Sequence, residues 1–349
     1  MKVGIVGMPL SGKTTIFNAL TGSTAPTGTF GGGRKANLAV IKVPDERVDK
    51  LSEIFRPKKT TYAEISFADI PGGGESGLGD AQTVELIKSM DALTLVTRAF
   101  ESEAVPHPKN AINPADDLDD LRGEIIIRDL VQVEKRLERM AKERTKGLEP
   151  DILKRCREAL ESERPLRSLG FTESELKLLS GFQFLSLKPS LVVANTGEES
   201  GVGLDELKRQ ADDLGLPMLA LCGTLESEIA AIPEQDRSEF LEGLGIEEPA
   251  SSRFIREAYR LCDLTSFLTA GEDEVKAWTV VRGTLAPAAG GKIHSDIERG
   301  FIRAEIVGYD DFIASGGSMV AAREAGKIRL EGKEYQVQDG DIINFRFNV

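Results

Sequence analysis

Gly7-Met8-Pro9-Leu10-Ser11-Gly12-Lys13-Thr14 spells a complete G-x-x-x-x-G-K-[ST] loop, and its flanks decide the fold. Before it runs the apolar Val3-Gly4-Ile5-Val6. After it, Thr14-Thr15-Ile16-Phe17-Asn18-Ala19-Leu20 spaces its apolar residues helically, with Gly22 as a stop. A buried strand, a glycine loop and a helix in that order turn backbone N–H groups and a helix N-terminus onto one point, which suits phosphate oxygens. The pattern predicts a nucleoside-triphosphate site bordered by Pro9, Leu10, Ser11, Gly12, Lys13, Thr14 and Thr15. In it Lys13 reaches the β- and γ-phosphates and the Thr14 hydroxyl ligates Mg²⁺.

Outward from the loop, short branched runs alternate with helical patterns. Val3–Val6, Ala39–Val43, Glu64–Ala68 and Ala92–Val96 read as strands of an α/β sheet. From Leu121 to about Leu187 the texture turns charge-dense and helical. Ile126, Leu130, Val133, Leu137 and Met140 step as the a/d seam of a coiled coil, Gly147 and Pro150 break it, and Asp151 restarts it, which predicts a helical hairpin. Near the bend, Lys135, Arg136, Arg139, Lys142, Arg144 and Lys146 outnumber Glu138 and Glu143. That run reads either as a solvated coiled-coil surface or as a basic tip that touches RNA or another macromolecule.

Ser190–Ala194 and Pro217–Leu221 resume the sheet, so the hairpin is an insertion. Helical patterns cover about 226–242 and 251–268. From Glu274 onward short alternating segments and the tight-turn signature Asp339-Gly340-Asp341 predict a small β-rich domain. The organisation read from this is a discontinuous α/β domain (1–120 and 187–273), an inserted hairpin (121–186) and a terminal domain (274–349).

The 349 residues hold 40% hydrophobic and 29% charged side chains, ordinary for a soluble globular chain. No apolar run approaches the roughly 20 residues that span a bilayer, the chain enters a strand at once without a leader, and Cys156, Cys222 and Cys262 have no metal-type spacing. These features predict reduced thiols and a cytoplasmic protein with no membrane partner. With 44 Lys/Arg against 57 Asp/Glu, a net charge of −13, nonspecific coating of nucleic acid is disfavoured, and no sequence-specific DNA contact is expected.

Downstream elements say which kind of triphosphate site this is. Asp69-Ile70-Pro71-Gly72 ends a strand with D-x-x-G, where the aspartate holds Mg²⁺ through water and the Gly72 N–H senses a γ-phosphate. Thr27 and Thr29 lie where a first switch belongs, and either caps Mg²⁺ or is linker polarity. Base recognition follows the next buried strand, at Asn195-Thr196-Gly197-Glu198. A guanine reader is N-K-x-D; here Thr196 replaces the lysine and the acid is longer, while an amide can pair with adenine N7 and N6. These switch and base elements fit a small-molecule kinase poorly, since no acceptor site is evident.

Taken together the chain resembles the YchF-type Obg-like ATPases, a branch of the translation-factor GTPase class. The resemblance rests on the phosphate loop, Val43-Pro44-Asp45-Glu46-Arg47, Asp69–Gly72, Asp91-Ala92, Val133–Leu137, Asn195–Glu198 and Leu225–Ile229. It is strongest in Ala277-Trp278-Thr279, Ile293-His294, Glu298–Glu305 and Asp339 through Val349. It implies a G domain, an inserted hairpin and a terminal β-grasp (TGS-like) domain, ATP hydrolysis in preference to GTP, and ribosome or RNA association through the groove between hairpin and TGS-like domain. A GTP-specific enzyme and a nucleotide-gated adaptor with incidental turnover are the alternatives. It also implies that Asn195 and Glu198 face the base, that Cys222-Gly223-Thr224 closes over it, and that a loop histidine replaces the water-orienting glutamine missing after Gly72. The matching histidine is His107, in Val105-Pro106-His107-Pro108, read either as catalytic alongside Lys13 and Gly72 or as inert surface. The chain departs from the family at Leu10, where the family's asparagine is associated with potassium, and a leucine donates no oxygen ligand.

Overall fold

The computed structural model describes residues 1–25, 36–72, 77–109, 111–198 and 201–348. The chain opens with β1 (Lys2–Gly7), α1 (Lys13–Thr21), β2 (Asn37–Lys42), α2 (Glu46–Phe55), β3 (Lys59–Thr61) and β4 (Glu64–Asp69). α3 (Ala81–Lys88) and β5 (Ala92–Ala99) lead to the long α4 (Pro114–Glu143), α5 (Leu148–Glu161) and the short α6 (Glu173–Leu179). Then follow β6 (Ser190–Thr196), α7 (Leu204–Asp213), β7 (Met218–Leu221), α8 (Gly223–Ala231), α9 (Glu234–Gly243) and α10 (Ala250–Leu261). The last stretch comprises β8 (Leu264–Ala270), β9 (Glu274–Val281), α11 (Ala286–Ile293), α12 (Ser295–Arg299), β10 (Phe301–Gly308), α13 (Tyr309–Ala314), α14 (Met319–Glu324), β11 (Arg329–Glu331) and β12 (Asp341–Phe347).

Packing divides these into two compact units, Met1–Val40 with Ser66–Ala258, and Ile41–Ile65 with Tyr259–Val349. In the first, the sheet order is β2-β4-β1-β5-β6-β7, and β1, β4, β5, β6 and β7 pair in parallel. Parallel strands covered by helices are buried on both faces, which is why β1, β5 and β6 read as continuous apolar runs rather than alternations. Their C-terminal ends lie along one edge, so the loops after β1, β4, β6 and β7 share that edge.

α4 serves two cores. Asn113 caps it by accepting from Ala115 and Asp116 N–H, with Pro114 in the first turn. Its early residues Leu118, Leu121 and Ile125 enter the core beside the sheet, while Ile126, Val133 and Met140 pack with Ile152, Leu153, Cys156 and Leu160 in a hairpin core. All five predicted seam positions belong to that hairpin core or pack against it. The helix begins at Pro114 rather than 121, and α5 begins at Leu148, with Pro150 in its first turn instead of breaking it.

The second unit holds a mixed sheet in the order β11-β10-β12-β8-β9-β3, over which Ala286 and Ala289 of α11 and Ile297 of α12 pack on Phe267, Phe301, Ile343 and Phe345. The Arg47 guanidinium bridges Asp45 and Asp339, and Asp339 also accepts from Thr265 Oγ1 and Ser266 N–H. Two helix readings need correction. The helix expected over 251–268 ends at Leu261, where Asp263 turns to a φ of 49° and the β-prone Leu264-Thr265-Ser266-Phe267 starts an interior strand of this sheet. The one over 226–242 is two helices, parted at Ile232-Pro233 because proline lacks the N–H needed to continue. Among the described residues no helix is long and apolar enough to cross a membrane.

Candidate functional site

β1 ends at Gly7 and α1 starts at Lys13, so the intervening loop turns sharply. Gly12 takes a φ of 85°, and a Cβ built there would lie 2.1 Å from Asn195 Nδ2. Only glycine meets both demands. Leu10 also sits in the left-handed region, at a φ of 63°, which a branched apolar residue adopts at a cost and asparagine tolerates.

Lys13 and Thr14 have protein partners, while the buried Ser11 hydroxyl has none among the described residues. Lys13 is buried, and its Nζ donates to the carbonyls of Gly7 and Met8 at 2.9 Å each. A Cβ on Gly72 would stand 3.0 Å from Lys13 Nζ, so the D-x-x-G glycine lies directly beside the ammonium. Burial depresses the Lys13 pKa to about 8, against the opposing charge of Asp69. Thr14 Oγ1 donates to Asp69 Oδ2 at 2.9 Å, and Asn37 Nδ2 donates to the same oxygen at 3.0 Å. A hydroxyl and a carboxylate in contact are hard oxygen donors, and that donor set fits Mg²⁺.

Asn195, at the end of β6, is buried and uses both ends of its amide. Nδ2 donates to the Ser11 carbonyl at 3.0 Å, and Oδ1 accepts from the Gly223 N–H at 3.1 Å. It therefore ties the phosphate loop to the first residue of α8. Cys222 precedes that helix and gives it no side-chain cap, while Thr224 and Glu198 are exposed. The fold thus brings Ser11, Gly12, Lys13, Thr14, Asp69, Gly72, Asn195 and Gly223 into one contiguous cluster. Pro9, Leu10 and Thr15 are partly buried around it. Thr27 and Thr29 lie outside the described residues.

His107 is elsewhere, and it is not on the surface. Only 9% of it is exposed; its Nδ1 accepts from Lys109 N–H at 3.1 Å and its Nε2 stands 3.5 Å from Asp117 Oδ2. His107 thus lies beneath the first turn of α4 rather than on the surface where the loop reading placed it. Three residues carry no assignment from sequence: Asn37 beside Asp69, and Arg98 and Asp117 near His107. Arg98 had a readable signal, a lone cation in the wholly buried strand β5. Asn37 had none.

The family model described as "50S ribosome-binding GTPase" matches residues 2–133, and the YchF-GTPase C-terminal model, described as "Protein of unknown function", matches residues 264–348. "Ribosome-binding ATPase YchF" of Bacillus subtilis (strain 168) is 41% identical over 365 residues, covering 100% of both chains. This chain belongs to the YchF family. The YchF protein of Pasteurella multocida is likewise 41% identical, covering 100% of this chain and 99% of its own. The solved structure of the Schizosaccharomyces pombe YchF GTPase superposes with a TM-score of 0.87 at 30% identity, over 99% of this chain and 97% of that one. The expected fold class holds across both units: a YchF P-loop domain with a helical insert and a C-terminal β domain.

Proposed function

We propose that this YchF-family protein is a cytoplasmic nucleotide switch that binds ATP with Mg²⁺, hydrolyses it slowly and associates with the ribosome. The observation that carries the reading is the convergence of Lys13, Thr14, Asp69 and Asn195 on one loop. Lys13 exchanges the carbonyls of Gly7 and Met8 for phosphate oxygens, and Gly72 beside it offers its N–H to the γ-phosphate. Thr14 and Asp69 would hold Mg²⁺, and the bound ion would neutralise charge on the phosphates. Asn195 keeps one amide hydrogen and one lone pair beyond its backbone bonds, enough for adenine N7 and N6, with Glu198 and Cys222-Gly223-Thr224 around the base. His107 orients the attacking water.

ATPase and ribosome binding are what the bacterial relatives' names say of them, and 41% identity over the full length supports carrying both to this chain. The hairpin and the terminal domain, each with its basic side chains, are the elements proposed to meet the ribosome. GTP is the second reading, favoured by the naming of the fission-yeast relative as a GTPase.

Single-turnover ATP hydrolysis with and without ribosomes, together with cosedimentation, tests the proposal. Turnover in the free protein and cosedimentation in the triphosphate state are expected. His107→Ala is expected to slow the chemical step by at least about tenfold with nucleotide affinity retained. No cosedimentation in any nucleotide state contradicts the ribosome claim, and unchanged turnover removes His107.

A further inference from the structure

We propose that Asp117 is a positioning residue that stores His107 in the nucleotide-free protein, with Arg98 as the fixed anchor of its loop, and that triphosphate binding draws His107 off Asp117 towards the attacking water. The inference rests on the reading of His107 given above.

Arg98, near the end of β5, is 2% exposed and is the largest fully buried side chain among the described residues. Its Nη2 donates to the Val105 carbonyl at 2.7 Å, Nε to Phe100 at 3.1 Å and Nη1 to Pro106 at 3.4 Å. The guanidinium also lies over the Phe100 ring, 4.4 Å from its centroid. A Cβ on Gly12 would be 3.7 Å from that same ring, so the anchored loop starts beside the phosphate loop. Four contacts from one rigid fork fix the backbone up to Pro106.

The next residue is held differently. A backbone N–H only donates, so the Lys109 N–H at His107 Nδ1 puts the neutral ring's proton on Nε2, which faces Asp117. Both ring nitrogens are thus turned to protein. Asp117 is 0% exposed, yet neither of its carboxylate oxygens has a hydrogen bond among the described residues. His107 Nε2 and Lys109 Nζ stand at 3.5 Å from it, beyond good bonding distance, and Lys109 is closer to Asp120 at 2.5 Å. Asp117 also holds up the charge of Arg98, whose pKa burial lowers. Buried carboxylates are ordinarily fully bonded, and one left without bonds marks an arrangement ready to exchange. The loop is therefore strongly fixed up to Pro106 and weakly held at His107, and that asymmetry is what a stored side chain needs.

The chain has two histidines, so imidazole ¹⁵N–¹H spectra of the full-length protein are assignable with a His294→Asn variant. The free protein is expected to show His107 as the Nε2-protonated tautomer, and a non-hydrolysable ATP analogue with Mg²⁺ is expected to shift its nitrogens. In Asp117→Asn the free spectrum should show mixed tautomers, the analogue-induced change should shrink, and kcat should rise severalfold with KM unchanged. His107 signals in the wild-type protein that ignore the analogue overturn the storage contact, as does a fall of kcat in Asp117→Asn. The wild-type spectra decide the matter whether or not Asp117→Asn folds, since only His294→Asn, in the other compact unit, is needed to assign them. Turnover of His107→Ala at the wild-type rate defeats the underlying reading of His107 instead, whatever the spectra show.

Discussion

Two buried polar clusters stand in the same unit and are bonded very differently. Around the phosphate loop, Lys13, Thr14, Asp69, Asn37 and Asn195 all have partners between 2.9 and 3.1 Å. Around His107, the Asp117 carboxylate has no hydrogen bond among the described residues, and His107 Nε2 and Lys109 Nζ each stand 3.5 Å from it. The first cluster is a cradle already assembled, each of these groups bonded to protein. The second carries comparable charge with little bonding to hold it. The difference teaches that the phosphate-loop cluster is preorganised while the His107 cluster is held by fewer bonds.

The largest expected effect breaks the cradle itself. Gly12→Ala forces a Cβ to within 2.1 Å of Asn195 Nδ2 at a φ that alanine resists, so nucleotide binding should be lost and stability should fall by about 3 kcal/mol, measured by calorimetric titration and urea melts. Retained binding would mean that the loop is loose enough to give way, and the contrast with the His107 cluster would collapse. Asn195→Ala is next. It leaves the Ser11 carbonyl and the Gly223 N–H unpaired in a buried place, at a cost of about 2 kcal/mol in denaturant melts, and it weakens nucleotide binding because loop and α8 come apart. An undiminished midpoint would show that the brace carries no stability. The smallest effect has the opposite sign: Leu10→Asn relieves a left-handed leucine and should raise stability by about 1 kcal/mol, seen as a higher melting temperature. A lower one would show that the Leu10 side chain contributes more through packing than its backbone costs.

The cradle was legible from sequence because each of its parts is local: a glycine loop behind an apolar strand, D-x-x-G at a strand end, N-x-x-E at the next. Buried parallel strands announce themselves as apolar runs, and the seam from Ile126 to Met140 announces a hairpin. What sequence did not reveal is relational. Asn195 reads as a base contact, and only the fold shows its amide already committed to Ser11 and Gly223. His107 between prolines reads as open loop, and only the return of α4 covers it with Asp117. Residues 264–268 read as the end of a helix because the β preference of Thr265 and Phe267 becomes decisive only between the neighbours β9 and β12.

The charge of Lys13 gives the cradle a pH signature. Its buried ammonium is the penalised form, so the free protein gains stability as pH rises from about 8 to the ordinary 10.5. A bound triphosphate restores that ammonium, so binding at pH 8 should take up about half a proton, and affinity should fall as pH climbs above 8. The most direct measurement is therefore a parallel calorimetric titration with ATP and GTP at pH 8, each in two buffers of different ionisation heat and with Mg²⁺ present. ATP binding tighter than GTP, with proton uptake that vanishes in Lys13→Ala, is the predicted result. Absence of ATP binding, or GTP bound tenfold tighter, a difference of about 1.4 kcal/mol, would contradict the account.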